Sequence, residues 1–317
     1  MAIPTAKLNN GRTIPLVGYG TWVGDQSQGP ALLPSIKEAI KQGYRHIDTA
    51  TLYCNEAEVG QAVRESGIPR EEFFITTKVW ITELNEKATE SLNGSLKSAG
   101  LDYFDLLLVH WPQTTYKGTG ENPDDPSERN YLKVWKQFEG FLDTGKVKTV
   151  GVSNFAIPFL EDLLANSKVV PAVNQIETHP WNPDFELIDY CHKKGIHVTA
   201  YCPVAGHTPL IKDETVNAIA KELGATPAQV LLSWGVQRGT SVIPKATSSE
   251  HISENLKLFT LSPEHVNRIN KINENPATQS RVNYGIVSNN KIFGWTPQQL
   301  QIDVGFPTLG LPGIKQT

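Results

Sequence analysis

The chain is poor in cysteine: Cys54, Cys191 and Cys202 are the only three in 317 residues, widely spaced and without a CxxC pair. That spacing excludes a disulfide framework and a zinc knuckle, and it suits a reducing compartment. No run of 18 apolar residues occurs, and Met1 to Lys7 hold no apolar core of signal-peptide length, so no membrane segment is expected. An excess of one charge is also missing, with 29 basic against 33 acidic side chains and a net charge of −4. Such a balance offers no footprint for nucleic acid and no polybasic membrane patch. The expectation is a cytoplasmic protein whose partner is a small molecule. Nothing in the surface pattern demands a dimer, so a monomer or weak dimer is expected.

What is present is a repeat of strand-like and helix-like segments. Apolar runs read as strands at 16–19, 45–48, 73–77, 105–109, 147–152, 172–176, 196–201 and 241–243. Helical spacing of apolar residues falls between them, from Leu32 to Ile40 and near 56–66, 86–99, 131–144, 157–165, 184–194 and 213–223. Eight strands each followed by a helix, joined by right-handed crossovers, predict an α/β fold of the (β/α)8 TIM-barrel kind, one domain over 1–317. A doubly wound sheet is the alternative, but Gly18-Tyr19-Gly20-Thr21-Trp22-Val23-Gly24 lacks the glycine spacing of its nucleotide turn. Asn9-Asn10-Gly11 predicts an N-terminal hairpin plugging the barrel floor. Residues 113–130 read as a polar loop shaping substrate access, and 274–317 as an irregular tail laid over a surface.

Three of the strand-like runs end on titratable groups: Asp48 with Tyr53 five residues later, Lys78, and His110. Taken singly, a tyrosine after a strand packs, a strand-end lysine is solvated and a lone histidine is structural. On consecutive parallel strands the four converge on one rim, where barrels of this kind keep their chemistry. A phenol near pKa ~10 is a weak acid, and a cation such as Lys78 is expected to lower it, with Asp48 holding Lys78 charged. His110 as neutral imidazole would orient a carbonyl oxygen toward Tyr53. Trp22, Trp80 and Trp111 follow strands onto the same rim, and with Trp295 they predict an apolar substrate slot. Metal-assisted hydrolysis is disfavoured because no ligand pairing is found among the histidines, and His46 is read on the opposite strand face from Asp48. No metal is expected.

These residues carry a resemblance. Gly43 through Asp48 to Glu56 and Gly60, then Lys148-Thr149-Val150-Gly151-Val152-Ser153-Asn154-Phe155, resemble two signatures of the aldo-keto reductase family, along nearly the whole chain. The tail from Lys291 to Thr296 is similar to that of fungal members of the glycerol dehydrogenase-like and xylose reductase-like kind. The resemblance implies a TIM barrel binding NADP extended across its rim, with Asp48, Tyr53, Lys78 and His110 as catalytic tetrad. It implies that Ser153, Asn154 and Gln175 hold the nicotinamide carboxamide, that Tyr201 stacks on the ring, and that Thr21 and Trp22 border the coenzyme. Glu254 and Asn255 match its adenine contacts. The implied activity is NADPH-dependent reduction of aldehydes and some ketones. Relatives that serve as coenzyme-sensing subunits keep a binding module as the alternative.

Two departures qualify the resemblance. In Lys245-Ala246-Thr247-Ser248-Ser249-Glu250-His251 the family's Lys is kept, but alanine replaces Ser or Thr, and His251 stands where the family has the Arg that grips the 2′-phosphate. A guanidinium binds phosphate through two parallel bonds and is always charged, whereas histidine is mostly neutral near pH 7. NADPH is therefore expected to be preferred, with weaker discrimination against NADH, which is expected to be accepted as well. Cys202-Pro203-Val204 replaces Ser-Pro-Leu, and a thiol is a poorer donor toward a pyrophosphate.

Overall fold

A computed structural model describes residues 3–115, 124–206, 208–276, 278–282, 287–288 and 291–301. Strands β1 (Thr5–Lys7) and β2 (Thr13–Pro15) pair antiparallel, with Thr5 opposite Pro15. Between them Gly11 takes φ +84, which a residue without Cβ adopts freely. Leu8 and Ile14 of this hairpin pack against Phe74, Leu106, Leu108, Ala172 and Val173. The hairpin thus plugs the floor of the barrel.

Eight strands follow in chain order, each parallel to the next: β3 (Tyr19–Gly20), β4 (His46–Asp48), β5 (Phe74–Val79), β6 (Leu106–Val109), β7 (Val150–Ser153), β8 (Val173–Glu177), β9 (His197–Tyr201) and β10 (Thr240–Val242). The sheet closes on itself. Val17 bridges Val242 in parallel, and Gly20 donates its N–H to the Pro244 carbonyl at 3.1 Å. A Cβ at Gly20 would stand 2.5 Å from the Ile243 carbonyl oxygen, so this seam needs glycine.

The outer ring is α1 (Leu33–Lys41), α2 (Glu56–Glu65), α3 (Ala88–Ala99), α4 (Asn130–Phe141), α5 (Ile157–Asn166), α6 (Phe185–Lys193), α7 (Glu214–Leu223), α8 (Pro227–Gln237), α9 (Ser249–Glu254) and α10 (Pro263–Asn270). In α4, Tyr131, Val134, Trp135, Phe138 and Phe141 recur at three- and four-residue spacing and are all buried. Each such side chain contributes roughly 1.5–3 kcal/mol on leaving water. Helices α2 and α3 touch backbone to backbone, because a Cβ at Gly60 would fall 1.7 Å from the Ala99 carbonyl oxygen. Gly60 is thus a packing residue.

The helices α8 to α10 are absent from the pattern read in the sequence. Gln229 through Gly235 of α8 are buried without a break, so no polar stripe marks the helical period, although Thr226 and Gln229 form a capping box at its start. The tail departs from an irregular strap: β11 (Val287–Ser288) pairs antiparallel with β12 (Lys291–Ile292), and Phe293 and Trp295 are 4% and 2% exposed. Residues 116–123 of the expected access loop, Lys117 included, and 302–317 of the tail lie outside the described residues. No helix among the described residues is long and apolar enough to cross a membrane.

Candidate active site

The rim at the carboxyl ends of β4, β5 and β6 brings the tetrad together. Lys78, wholly buried, places Nζ 2.5 Å from Asp48 Oδ1, 2.8 Å from the Thr49 carbonyl and 3.2 Å from Tyr53 Oη. An ammonium has three protons and no acceptor, so all three are used. Tyr53 Oη therefore accepts from lysine, and its own proton is left for another acceptor. The second Asp48 oxygen accepts from Gln175 Nε2 at 2.7 Å, which fixes that amide with its carbonyl oxygen away from the carboxylate. The phenol is positioned by a short 3-10 turn, Thr51–Tyr53, followed by Cys54 at φ 52. Beneath that turn, Thr49 Oγ1 donates to Asn55 Oδ1 at 2.6 Å, and Asn55 Nδ2 donates to the Thr21 carbonyl at 2.9 Å.

His110 lies edge-on to Tyr53, with ring centroids 5.8 Å apart, and edge-on to Trp80 at 5.0 Å. Burial, with the Lys78 charge second, pushes the His110 imidazole well below its ordinary range, and Nδ1 has no hydrogen-bond partner. The ring is neutral at physiological pH, as expected. For Tyr53 the expectation needs correction. Desolvation, with the Asp48 carboxylate second, holds the phenol well above 10 even though the ring is partly open to the cavity. Lys78, itself lowered by burial against the pull of Asp48, does not offset that desolvation. Its visible contribution is orientation.

One cavity of about 530 Å³ opens over these groups. Its wall includes Asp48, Tyr53, His110 and Trp111, the β3 rim residues Thr21 and Trp22, and Ser153, Asn154, Gln175 and Tyr201 from β7 to β9. Cys202, Pro203, Val204 and Lys245 extend it along the rim. Asn154 (φ 63), Cys202 (φ 49) and Ala205 (φ 56) hold left-handed backbone around this wall, local strain that the packed rim maintains. Asn154 Nδ2 donates to the His110 carbonyl at 3.0 Å and its Oδ1 accepts Tyr201 Oη at 2.8 Å, so the two proposed coenzyme contacts brace each other. Thr21 lies on this wall with its hydroxyl donating to the Asp48 carbonyl at 2.8 Å. Burial pushes the Cys202 thiol far up, so it stays a neutral, weak donor, although the residue as a whole is partly exposed.

Other expected residues stand off the cavity wall. Trp80 sits behind His110, and Trp295 is buried with its indole N–H on the Asp124 carbonyl at 3.1 Å. Neither lines the cavity, in contrast to the expected four-tryptophan slot. Phe293, which the sequence reading passed over, packs edge-on to both Trp80 (4.8 Å) and Trp111 (5.2 Å). Gln113 Nε2 holds this turn of the tail by donating to the Ile292 carbonyl at 2.9 Å. Ala246 is buried, and its carbonyl accepts the Tyr19 hydroxyl at 2.5 Å. Thr247, Ser248 and His251 are exposed around the start of α9, Glu254 is half-buried and Asn255 buried at its end.

His46 also corrects the reading. Two residues before Asp48 on the same strand, it shares the inner face, where its imidazole meets the Pro15 carbonyl at 3.1 Å and Thr76 Oγ1 at 3.3 Å. Among the described residues no group of three or more His, Cys, Asp or Glu is placed to hold a metal ion.

Residues 16–274 match the aldo/keto reductase family, and the chain belongs to that family. It is an oxidoreductase of the carbonyl-reducing class. Among curated relatives, it is 44% identical to aldehyde reductase YPR1 of Saccharomyces cerevisiae over 289 residues, 85% of this chain and 91% of the relative. It is likewise 44% identical over 284 residues to glycerol 2-dehydrogenase (NADP(+)) of the same yeast, 84% of this chain and 90% of the relative. Among solved structures, an aldo-keto reductase from a Medee basin deep-sea metagenome library aligns at TM-score 0.78 and 40% identity, covering 88% of this chain and 97% of that one.

Proposed function

We propose that the chain reduces small aldehydes and some ketones to alcohols with NADPH, Tyr53 giving the proton. The observation that carries this reading is the use of all three Lys78 protons, on Asp48, Thr49 and Tyr53, which leaves the phenol O–H for a substrate oxygen. The cavity suits the coenzyme: its size is within the ordinary range for ligand sites, and its wall supplies a flat ring in Tyr201 together with amide groups from Asn154 and Gln175. Ser153, Asn154 and Gln175 would hold the carboxamide, Tyr201 the ring, and Lys245, with Thr247, Ser248 and His251, the 2′-phosphate. Bound there, NADPH supplies a hydride to the carbonyl carbon.

The rest is the work of the side chains. His110, neutral, donates to the carbonyl oxygen and aims it at Tyr53. As charge gathers on that oxygen it becomes far more basic than a phenolate, so Tyr53 transfers its proton despite a raised pKa. Lys78 then faces the phenolate with a proton already directed at it, and Asp48 keeps the lysine charged. Trp22 and Trp111 give the substrate end apolar walls. Relatives named for aldehyde reduction and for glycerol oxidation support small aldehydes and hydroxyketones as substrates. With histidine at 251, NADH is taken as a second, weaker coenzyme.

Initial rates of NADPH and NADH oxidation, each with DL-glyceraldehyde and with an aromatic aldehyde, test this. NADPH-dependent turnover exceeding that with NADH is expected. Tight NADPH binding with no turnover of any carbonyl would overturn the assignment.

A further inference from the structure

Glu177, the last residue of β8, is wholly buried and has no part in the chemistry above. One of its carboxylate oxygens accepts the backbone N–H of Val282 and, at 3.0 Å, the Nε2 of His179. Burial alone would raise this carboxyl, but His179, Arg281 and the Val282 N–H hold it below its usual range, so it remains an anion. Beside it, Asp184 Oδ2 accepts Arg281 Nη2 at 3.0 Å, and the Ser280 N–H donates to the Trp181 carbonyl at 3.2 Å. Three successive residues of the tail, 280 to 282, are thereby tied to the loop after β8.

The place of this tie gives it a consequence. Val282 forms part of the cavity wall, as do Ala205 and Thr208, and Glu177 is in register with Tyr201 across β8 and β9. A backbone N–H held by a buried carboxylate is costly to release, because opening takes one hydrogen bond away from a buried charge that is left with His179. We propose that Glu177 is a positioning residue for coenzyme retention: its carboxylate latches residues 280–282 against the cavity, and bound coenzyme leaves when that latch opens. The inference rests on reading the cavity as the coenzyme site.

The test pairs two measurements on Glu177→Ala and Glu177→Gln. Stopped-flow release of NADPH should be faster by about tenfold or more in Glu177→Ala, the scale of losing a hydrogen bond to a charged group. The single-turnover rate of hydride transfer should move much less. Glu177→Gln keeps an acceptor for the Val282 N–H and should recover most of the retention. Independently of coenzyme, amide exchange of the 278–282 segment should quicken in Glu177→Ala. Unchanged exchange would sink the latch itself, and quickened exchange with unchanged NADPH release would sink its role in retention. If Glu177→Ala does not fold, Val282→Pro removes the N–H that the carboxylate holds, and unchanged NADPH release there would equally overturn the proposal. A wild-type protein that binds no NADPH would defeat the coenzyme reading and the retention role, while the exchange arm still judged the latch.

Discussion

At the inner end of the cavity, every proton of Lys78 has an acceptor and both oxygens of Asp48 accept a bond, all beneath the surface. At the outer end, Lys245, Thr247, Ser248 and His251 are exposed, and among the described residues neither Lys245 nor His251 makes an ion pair. The inner end is organised before anything binds, so its geometry determines what can react. On the proposed reading the outer end would be organised by its ligand, so substitution there is expected to alter coenzyme preference without touching the reaction. On the same reading, that contrast would let a chain hold Asp48, Tyr53, Lys78 and His110 in place while positions 246 and 251 differ from what the resemblance implies.

The strongest way to break the contrast is Tyr53→Phe, which keeps the ring and removes the phenol proton that Lys78 leaves for a substrate oxygen. A fall in kcat of about 10²–10⁴-fold is expected, with NADPH affinity by fluorescence titration nearly unchanged. A residual rate near wild type would mean that the inner geometry is not what drives proton transfer. Lys78→Met is next, since it strands Asp48 as a buried charge. Urea unfolding should show a loss of about 3–5 kcal/mol, along with lost turnover.

Acid titration sharpens the same point, because the barrel interior carries histidines held neutral by burial. His197 is lowered from 6.5 to about 4, and His46 and His110 are lowered also. The unfolded chain takes up these protons near its ordinary histidine pKa while the folded protein does not, so stability is complete above about pH 6.5 and declines as the pH falls toward 4. For His197 alone the loss is about 3 kcal/mol. Melting temperatures across that window should drop in wild type and drop less in His197→Asn.

At the outer end the effects are smaller. His251→Arg should raise the ratio of kcat/KM for NADPH over NADH by about tenfold, the scale of one charge-assisted bidentate contact. Raising ionic strength from about 0.05 to about 0.5 M should weaken NADPH several-fold more than NADH, because exposed charges are screened. Equal effects on both coenzymes would place the 2′-phosphate away from Lys245 and His251.

Much of this was legible because barrel strands end on the rim: Asp48, Lys78 and His110 each terminate or directly follow an apolar run, so strand ends in the sequence became neighbours in space. The amphipathic helices α1 to α7 were legible for a similar reason, one buried face each. Helix α8 was hidden because burial all round erases periodicity. The effective acidity of Tyr53 was hidden too, since a sequence shows that a cation is near but not how much water has been removed. Trp295 misled because aromatic content says nothing of direction, and its indole N–H turns to Asp124. Glu177 gave no signal of its own, since the Val282 N–H that it holds lies in the tail, far off in sequence.

The seam between β3 and β10 has a consequence for how the protein is made. Val17 and Val242 stand almost the whole barrel apart in sequence, yet their pairing completes the wall that carries Thr21 and Trp22. A nascent chain emerging from the ribosome cannot close that wall until the last strand has been synthesised. Until then the β3 edge is open to pairing with another chain, a hazard that grows with the delay. Competence for coenzyme therefore arrives late and all at once, and a chain truncated before residue 242 has no partly working form.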